Sequence, residues 1–231
     1  MRIKVLSDTH TFHMEEGLHE VDLLIHCGDA ADSNVLLTNE VEFREFWVWW
    51  EAYPAKYKVF VPGNHDLYME SPMSKSFRKQ HKGQNNSWIL IDETIEVEGV
   101  KIFGSPYTPE FSTGWAFNAR RDKLHKRWRS VIELGTDIII THGPPKYQLD
   151  LVDRSGSLFE CTGCQALARR VREVRPKYCF FGHIHDNTTL RNNGVKIDDG
   201  IAYINASQVK DSSFSMGLVN KGKILYYGEF L

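Results

Sequence analysis

The 231-residue sequence has no excess of charge of either sign. Its 28 Lys and Arg residues stand against 30 Asp and Glu, for a formal net charge of −2. A protein that coats a polyanion or lies on an acidic membrane surface carries a basic excess, so neither is expected as the main activity. Long apolar runs are missing as well. The longest, such as residues 137–141, have the length of a strand, far below the roughly 20 residues of a membrane-spanning helix, so no membrane partner is expected. The opening residues, MRIKVLSDTH, hold no apolar stretch and no small-residue cleavage site, so a secretory signal is not expected. Cysteine is sparse, with Cys27, Cys161, Cys164 and Cys179 only. Without a secretory signal, these are expected as reduced thiols in a cytoplasmic protein. Repeats, low-complexity tracts and linker-like stretches are absent, and 42% hydrophobic with 25% charged residues excludes a disordered chain.

Histidine, by contrast, is plentiful. Of ten, five lie in short motifs with Gly, Asp or Asn. Those motifs follow five apolar runs: residues 2–6, 21–26, 58–61, 137–140 and 178–181. Each run is four to six residues long, apolar and β-branched or aromatic, and bounded by Gly, Pro or Asp, as buried strands are. Their continuous rather than alternating apolar character predicts strands covered on both faces. Between them, residues 34–53 place Val41, Phe43, Phe46, Trp47 and Trp50 at helical spacings before Pro54, and residues 120–134 and 161–174 repeat the pattern. Trp49 lies off the main face of the first helix, where an exposed Trp would mark an oligomer contact. After Asp186 the pattern changes to short β runs, with turn sequences at 192–194, 198–200 and 220–222 that predict hairpins. Strand–helix alternation followed by hairpins predicts an α/β sandwich of mixed sheets covered by helices, in one domain over residues 1–231.

All five predicted strand ends carry potential metal ligands: Asp8 and His10, Asp29, Asn64, His142, and His183 with His185. One histidine after a strand signifies little, but five such ends in succession supply what two divalent cations need, mixed imidazole and carboxylate donors with one carboxylate to bridge. In an extended chain, residues i and i+2 point the same way. Asp8/His10 and His183/His185 would each then present two ligands to one side. Glycines at 28, 63, 143 and 182 allow close backbone approach beside the ions.

The ordered set Asp8-Thr9-His10, Gly28-Asp29-Ala30-Ala31-Asp32, Gly63-Asn64-His65-Asp66, His142-Gly143-Pro144 and Gly182-His183-Ile184-His185 resembles the calcineurin-like metallophosphoesterase superfamily. Residues 104–109, 114–118, 141–145 and 203–207 are similar to its small metallophosphoesterase-domain-containing group. The resemblance implies a four-layer α/β/β/α sandwich and a dinuclear centre, with Asp8, His10 and His185 on one ion, Asn64, His142 and His183 on the other, and Asp29 bridging. It implies hydroxide as the attacking group, with no Ser or Cys nucleophile. His65 would protonate the leaving oxygen or stabilise phosphoryl charge, and Asp32 would orient His65 through its other ring nitrogen. Turn packing for His65 and a helix N-cap for Asp32 are the competing roles. The ions are expected to be Mn²⁺, with Fe, Zn, Ni, Co and Mg as alternatives.

Protein phosphatases of that superfamily place an Arg directly after the position matching Asp32, to bind a phosphomonoester dianion. Here it is Ser33. A diester carries one charge fewer, so a small phosphodiester such as a cyclic nucleotide is the expected substrate. A phosphomonoesterase or nuclease on the same site is the alternative, and a non-catalytic binding protein a more distant one. Tyr107, Phe111, Trp115 and Phe117 are candidates to stack a base or to pack a core. The basic stretch 120–129 reads as the solvated face of a helix, so stable nucleic-acid binding is not expected. Cys161-Thr-Gly-Cys164 is a single pair, short of a zinc ribbon, and open to a packing or a redox role.

Overall fold

A computed structural model describes residues 1–154, 158–209 and 218–229. The strands are β1 (Arg2–Leu6), β2 (Val21–His26), β3 (Ala55–Phe60), β4 (Ser87–Ile89), β5 (Glu93–Val97), β6 (Val100–Ser105), β7 (Thr108–Pro109) and β8 (Asn118–Ala119). There follow β9 (Ile138–Thr141), β10 (Leu151–Asp153), β11 (Phe159–Cys161), β12 (Tyr178–Phe181), β13 (Gly194–Asp198), β14 (Ile201–Asn205) and β15 (Lys223–Tyr226). The α-helices are α1 (Leu36–Ala52), α2 (Leu67–Glu70), α3 (Lys75–Gln80), α4 (Arg121–Val131) and α5 (Gln165–Val174).

The continuous apolar runs become strands buried on both faces. In β2, Leu23 and Ile25 point into one core while Leu24 and His26 point into another. Among the described residues two large sheets result, in the orders β15-β1-β2-β3-β4 and β13-β14-β12-β9-β6-β5, beside the two-stranded pairs β10-β11 and β7-β8. Strands β1 to β4 are mutually parallel, as are β6, β9, β12 and β14, and the edge strands β15, β13 and β5 are antiparallel. Ile3, Ile25 and Val59 of the first sheet meet Ile102, Ile138 and Phe180 of the second in a core between the sheets. Phe43, Phe46 and Trp50 of α1 pack on Leu24 and Phe60 outside the first sheet. Leu124 and Trp128 of α4, with Leu167 and Val171 of α5, pack on Phe103 and Ile139 outside the second. These three cores make the four layers α/β/β/α. Among the described residues, no helix is long and apolar enough to cross a membrane.

Several expectations change. Asp198-Asp199-Gly200 is a hairpin turn, with Asp199 and Gly200 at φ 52° and 74° joining β13 to β14. Among the described residues, the other two turn sequences join no hairpin: 192–194 leads into β13, and 220–222 leads into β15, which pairs with β1 at the far end of the chain. Val41 lies on the outer face of α1 and is exposed. Trp49 is buried, because the 3-10 turn Phe12–Glu15 folds over it and sets His13 at 5.5 Å from its ring, so no exposed Trp marks an oligomer contact on α1. The third predicted helix starts at Gln165, with Cys164 as its N-cap and Cys161 in β11.

Candidate metal centre

Strands β1, β2 and β3 end level with one another, since Leu6 pairs with His26 and His26 with Phe60. In the second sheet, Ile140 of β9 pairs with Phe180 of β12. Five loops therefore leave the carboxyl ends of parallel strands side by side, the usual place for sites in open α/β sheets. The backbone there is not extended. Asp8, His10, Asp29 and His183 lie in the left-handed region, at φ 54°, 40°, 58° and 68°. Asp8/His10 and His183/His185 therefore do not present their side chains by the strand alternation that the spacing predicts. The chain turns at Asp8, held by Asp8 N–H on Gly28 O at 2.8 Å and His10 N–H on Asp29 O at 3.1 Å. Each such residue costs of the order of 1 kcal/mol or more, and strain of this kind collects where function fixes the geometry. Gly28 meets a stricter limit: at φ 103°, an added Cβ would lie 2.5 Å from Gly63 N and 2.7 Å from His142 Nδ1.

All seven candidate ligands converge. One group is Asp8, His10 and His185, and another is Asp29, His142 and His183, with the donor atoms of each group within 4.8 Å of one another. Asp8 Oδ1 lies 3.0 Å from His185 Nε2, and the Asp8 carboxylate also accepts from the His183 backbone N–H. Asp29 Oδ2 sits between the two groups, 3.2 Å from His142 Nε2 and 3.9 Å from His10 Nε2. Asn64 Oδ1 lies 2.9 Å from His142 Nε2.

This arrangement fits cations. His142 Nδ1 faces Cys27 O at 2.8 Å and must donate to it, which turns Nε2 toward Asn64 Oδ1 and Asp29 Oδ2; a proton sits there in the free side chains, and a neutral ring would offer its lone pair at the same point. His10 Nε2 is buried with no hydrogen-bond partner. Imidazole, carboxylate and amide donors crowded on one point, and an orphaned buried nitrogen, are what divalent ions would satisfy once the His142 Nε2 proton is displaced. The ionisation of the free side chains reflects the same crowding. Burial works against ionised Asp8, but the His185 hydrogen bond and charge outweigh it and hold its pKa below the usual carboxylate range. Burial likewise opposes ionised Asp29, and His142 with His65 holds it well below that range. Burial would lower His142, yet Asp29 raises it to about 9. For His183, burial and then the neighbouring His142 lower it to about 3.

At the rim, the Asp32 carboxylate is shared. Its Oδ1 lies 2.9 Å from His10 Nδ1 and 3.5 Å from His65 Nδ1, while the Asp32 carbonyl is 3.1 Å from His65 Nδ1. The His10 hydrogen bond lowers the Asp32 pKa. Asp32 therefore orients His10 at least as directly as His65, and it caps no helix, because the N-cap of α1 is Val35 with no side-chain bond. His65 packs edge-on to His10 at 4.5 Å and against Trp115 at 4.3 Å between ring centroids. Of the four loop aromatics, Phe117 is buried and Tyr107 is half-buried under Arg127. Phe111 and Trp115 face the site, with Phe111 5.2 Å from the His183 ring.

Two residues that the spacing argument passed over hold the loops together. Asp66 Oδ1 accepts from Ala30 and Ala31 N–H, and its Oδ2 from Asp29 and Gly63 N–H, at 2.7–3.1 Å. It clamps the Asp29 loop to the Asn64 loop. Buried His26 accepts from Gly28 N–H at Nδ1, so its Nε2–H faces Thr9 Oγ1 at 3.1 Å, which ties the first loop to the second. The fourth residue of the Gly63–Asp66 motif was the available signal for Asp66; His26 left none beyond its position at a strand end.

A carboxylate set between two imidazole-rich donor groups, at the carboxyl ends of parallel strands in an α/β/β/α sandwich, is an arrangement that two divalent ions would fit. The chain belongs to the calcineurin-like phosphoesterase family, whose model matches residues 1–187. The chain is 34% identical over 227 residues to metallophosphoesterase domain-containing protein 1 of Homo sapiens, covering 89% of this chain and 65% of that protein. It is 32% identical to a UPF0046 protein of Caenorhabditis elegans, covering 90% of this chain and 70% of that one. Its fold is similar to that of TT1561 of Thermus thermophilus, at TM-score 0.58 and 12% identity, with 90% of each chain covered. It is similar also to the phosphopantetheinyl hydrolase of Mycobacterium tuberculosis, at TM-score 0.57 and 16% identity, with 88% and 87% covered.

Proposed function

We propose that this chain hydrolyses small phosphodiesters, cyclic nucleotides or aryl diesters among them, with Mn²⁺ as the leading choice of metal. In this reading Asp8, His10 and His185 hold one ion, Asn64, His142 and His183 the other, and Asp29 bridges. When bound, two divalent ions lower the pKa of a shared water and neutralise phosphoryl charge. The side chains do the rest. Asp66 and His26 fix the loops, so the seven donors need little rearrangement. His65 Nδ1 rests on the Asp32 carbonyl, and a protonated ring has Nε2–H to give to the leaving oxygen. Trp115 stacks on His65 and, with Phe111, forms an aromatic wall beside the reacting group.

The observation that carries the diester reading is at Ser33. Glu42 Oε2 accepts from the backbone N–H of Asp32 and Ser33 at 2.9 and 2.8 Å. The position after Asp32 thus has no guanidinium: its backbone N–H is held by a carboxylate, and its hydroxyl accepts from Val35 N–H at 3.1 Å. The second negative charge of a monoester would meet Glu42 and Asp32 there, and a diester has no such charge. The test is hydrolysis of bis-p-nitrophenyl phosphate against p-nitrophenyl phosphate and single-stranded DNA by chelator-stripped protein, with and without Mn²⁺ and beside Asp29→Asn. Mn²⁺-dependent turnover that favours the diester and is lost in the variant is expected. Faster turnover of the monoester, or none of any ester with any divalent ion, would overturn the proposal.

A further inference from the structure

Next to the donor cluster lies a cavity of about 220 Å³, whose near wall is His183 and Gly143. Phe111, Pro144 and Ile184 give it apolar sides. Two guanidinium groups, Arg121 and Arg154, complete it. A site built only for a neutral aryl or alkyl arm has no use for them. Arg121 is held over the cavity by the carbonyls of Thr162 and Gly163, at 3.2 and 3.5 Å from its NH2 and NH1 groups. Two nearby arginines are engaged elsewhere, Arg120 at the start of α4 with Asp122 and Arg127 with Asp92. Arg154 Nε pairs with Glu160 at 2.9 Å, and both side chains are more than half exposed, so this pair contributes little and yields readily to a better anion.

We infer that this cavity seats one ester arm of the substrate, and that Arg121 and Arg154 select an arm bearing a second anionic group, such as a nucleoside with a further phosphate. The inference rests on the diesterase reading for the reacting phosphorus and adds the class of arm. Phe111 covers the planar part of the arm. The guanidinium forks match phosphate geometry in a way that lysines would not.

The test is calorimetric binding to the whole Mn²⁺-loaded chain, independent of turnover. Thymidine 3′,5′-bisphosphate is compared with thymidine 5′-phosphate on the unmodified protein, on Arg121→Gln, on Arg154→Gln and on the double variant. A second charge-assisted contact predicts about tenfold or greater preference for the bisphosphate, reduced to about twofold or less in the double variant. Equal affinities in the unmodified protein, a preference that survives in the double variant, or no binding of either nucleotide would overturn the inference. Failure to hydrolyse bis-p-nitrophenyl phosphate would overturn only the diesterase reading, since the binding ratio is read separately. Both arginines have exposed side chains, and unchanged melting of the variants would show that lost preference is not lost folding.

Discussion

Replacing Asp66 by Asn exchanges one oxygen for an amide nitrogen in a pocket of four backbone N–H groups. Whichever way the amide turns, two N–H groups lose their acceptor and face another donor. Hydrogen bonds to a charged group contribute about 1.5–3 kcal/mol each, so two of them amount to roughly 3–6 kcal/mol. That is a large part of the roughly 5–15 kcal/mol that holds a domain folded. At this chain length each kcal/mol moves Tm by about 2–4 °C, so a fall of roughly 6–24 °C is expected. Burial and the Asp29 charge raise the Asp66 carboxyl to about 7, against the pull of the Gly63 and Ala31 N–H groups. The comparison therefore belongs near pH 8, where the carboxylate is charged; because the neutral variant also relieves the burial of that charge and its repulsion by Asp29, the fall is expected at the lower end of that range. Scanning calorimetry of chelated Asp66→Asn and unmodified protein reads the effect. Titration with Mn²⁺ should then show affinity down by about 10–100-fold, as when the support of a metal ligand is removed. A variant that melts within about 2 °C of the parent would refute the clamp, since the smallest loss argued above is about 3 kcal/mol.

Burial lowers His26 to about 3 from an ordinary 6.5, so the fold holds it neutral while the unfolded chain takes up a proton below 6.5. Its contribution is complete above pH 6.5 and declines as pH falls toward about 3, at no more than about 1.4 kcal/mol per pH unit. The pH slope of stability should be shallower in His26→Gln, and an identical slope would contradict this. In Gly28→Ala, the left-handed φ and the 2.5 Å approach to Gly63 N should together cost about 2 kcal/mol or more and abolish turnover. Normal melting and normal turnover of that variant would count against the close loop packing. Trp115→Leu should raise KM for bis-p-nitrophenyl phosphate roughly tenfold with kcat little changed, from the loss of one stacking contact. An unchanged KM would remove Trp115 from the aromatic wall.

The sequence made the sheets legible because their strands are covered on both faces, which leaves continuous apolar runs such as Tyr178–Phe181. Ligand types could be read for a similar reason: imidazole, carboxylate and amide side chains recur immediately after those runs. How they converge could not be read. Left-handed turns at Asp8, His10, Asp29 and His183 replace the extended geometry that the spacing favoured; Asp and His enter that region more readily than most residues, but the sequence does not say which of them do. Asp66 was one carboxylate among many until four N–H groups were found around it. The burial of Trp49 depends on residues 12–15, more than thirty positions away, and the place of β15 on its pairing with β1. Helical period and turn chemistry report neighbours along the chain, and these contacts are made across it.

The two antiparallel edges formed by the later part of the chain have a practical consequence for anyone trimming it. The family match stops at residue 187, but β13, β14 and β15 all lie beyond it, and they close both sheets. A fragment cut at that point would bare the full length of β1 on one side and of β12 on the other, two apolar central strands with unpaired N–H and C=O groups. Such edges recruit strands from other molecules. A fragment chosen by the family boundary would keep every proposed metal ligand and still be expected to aggregate.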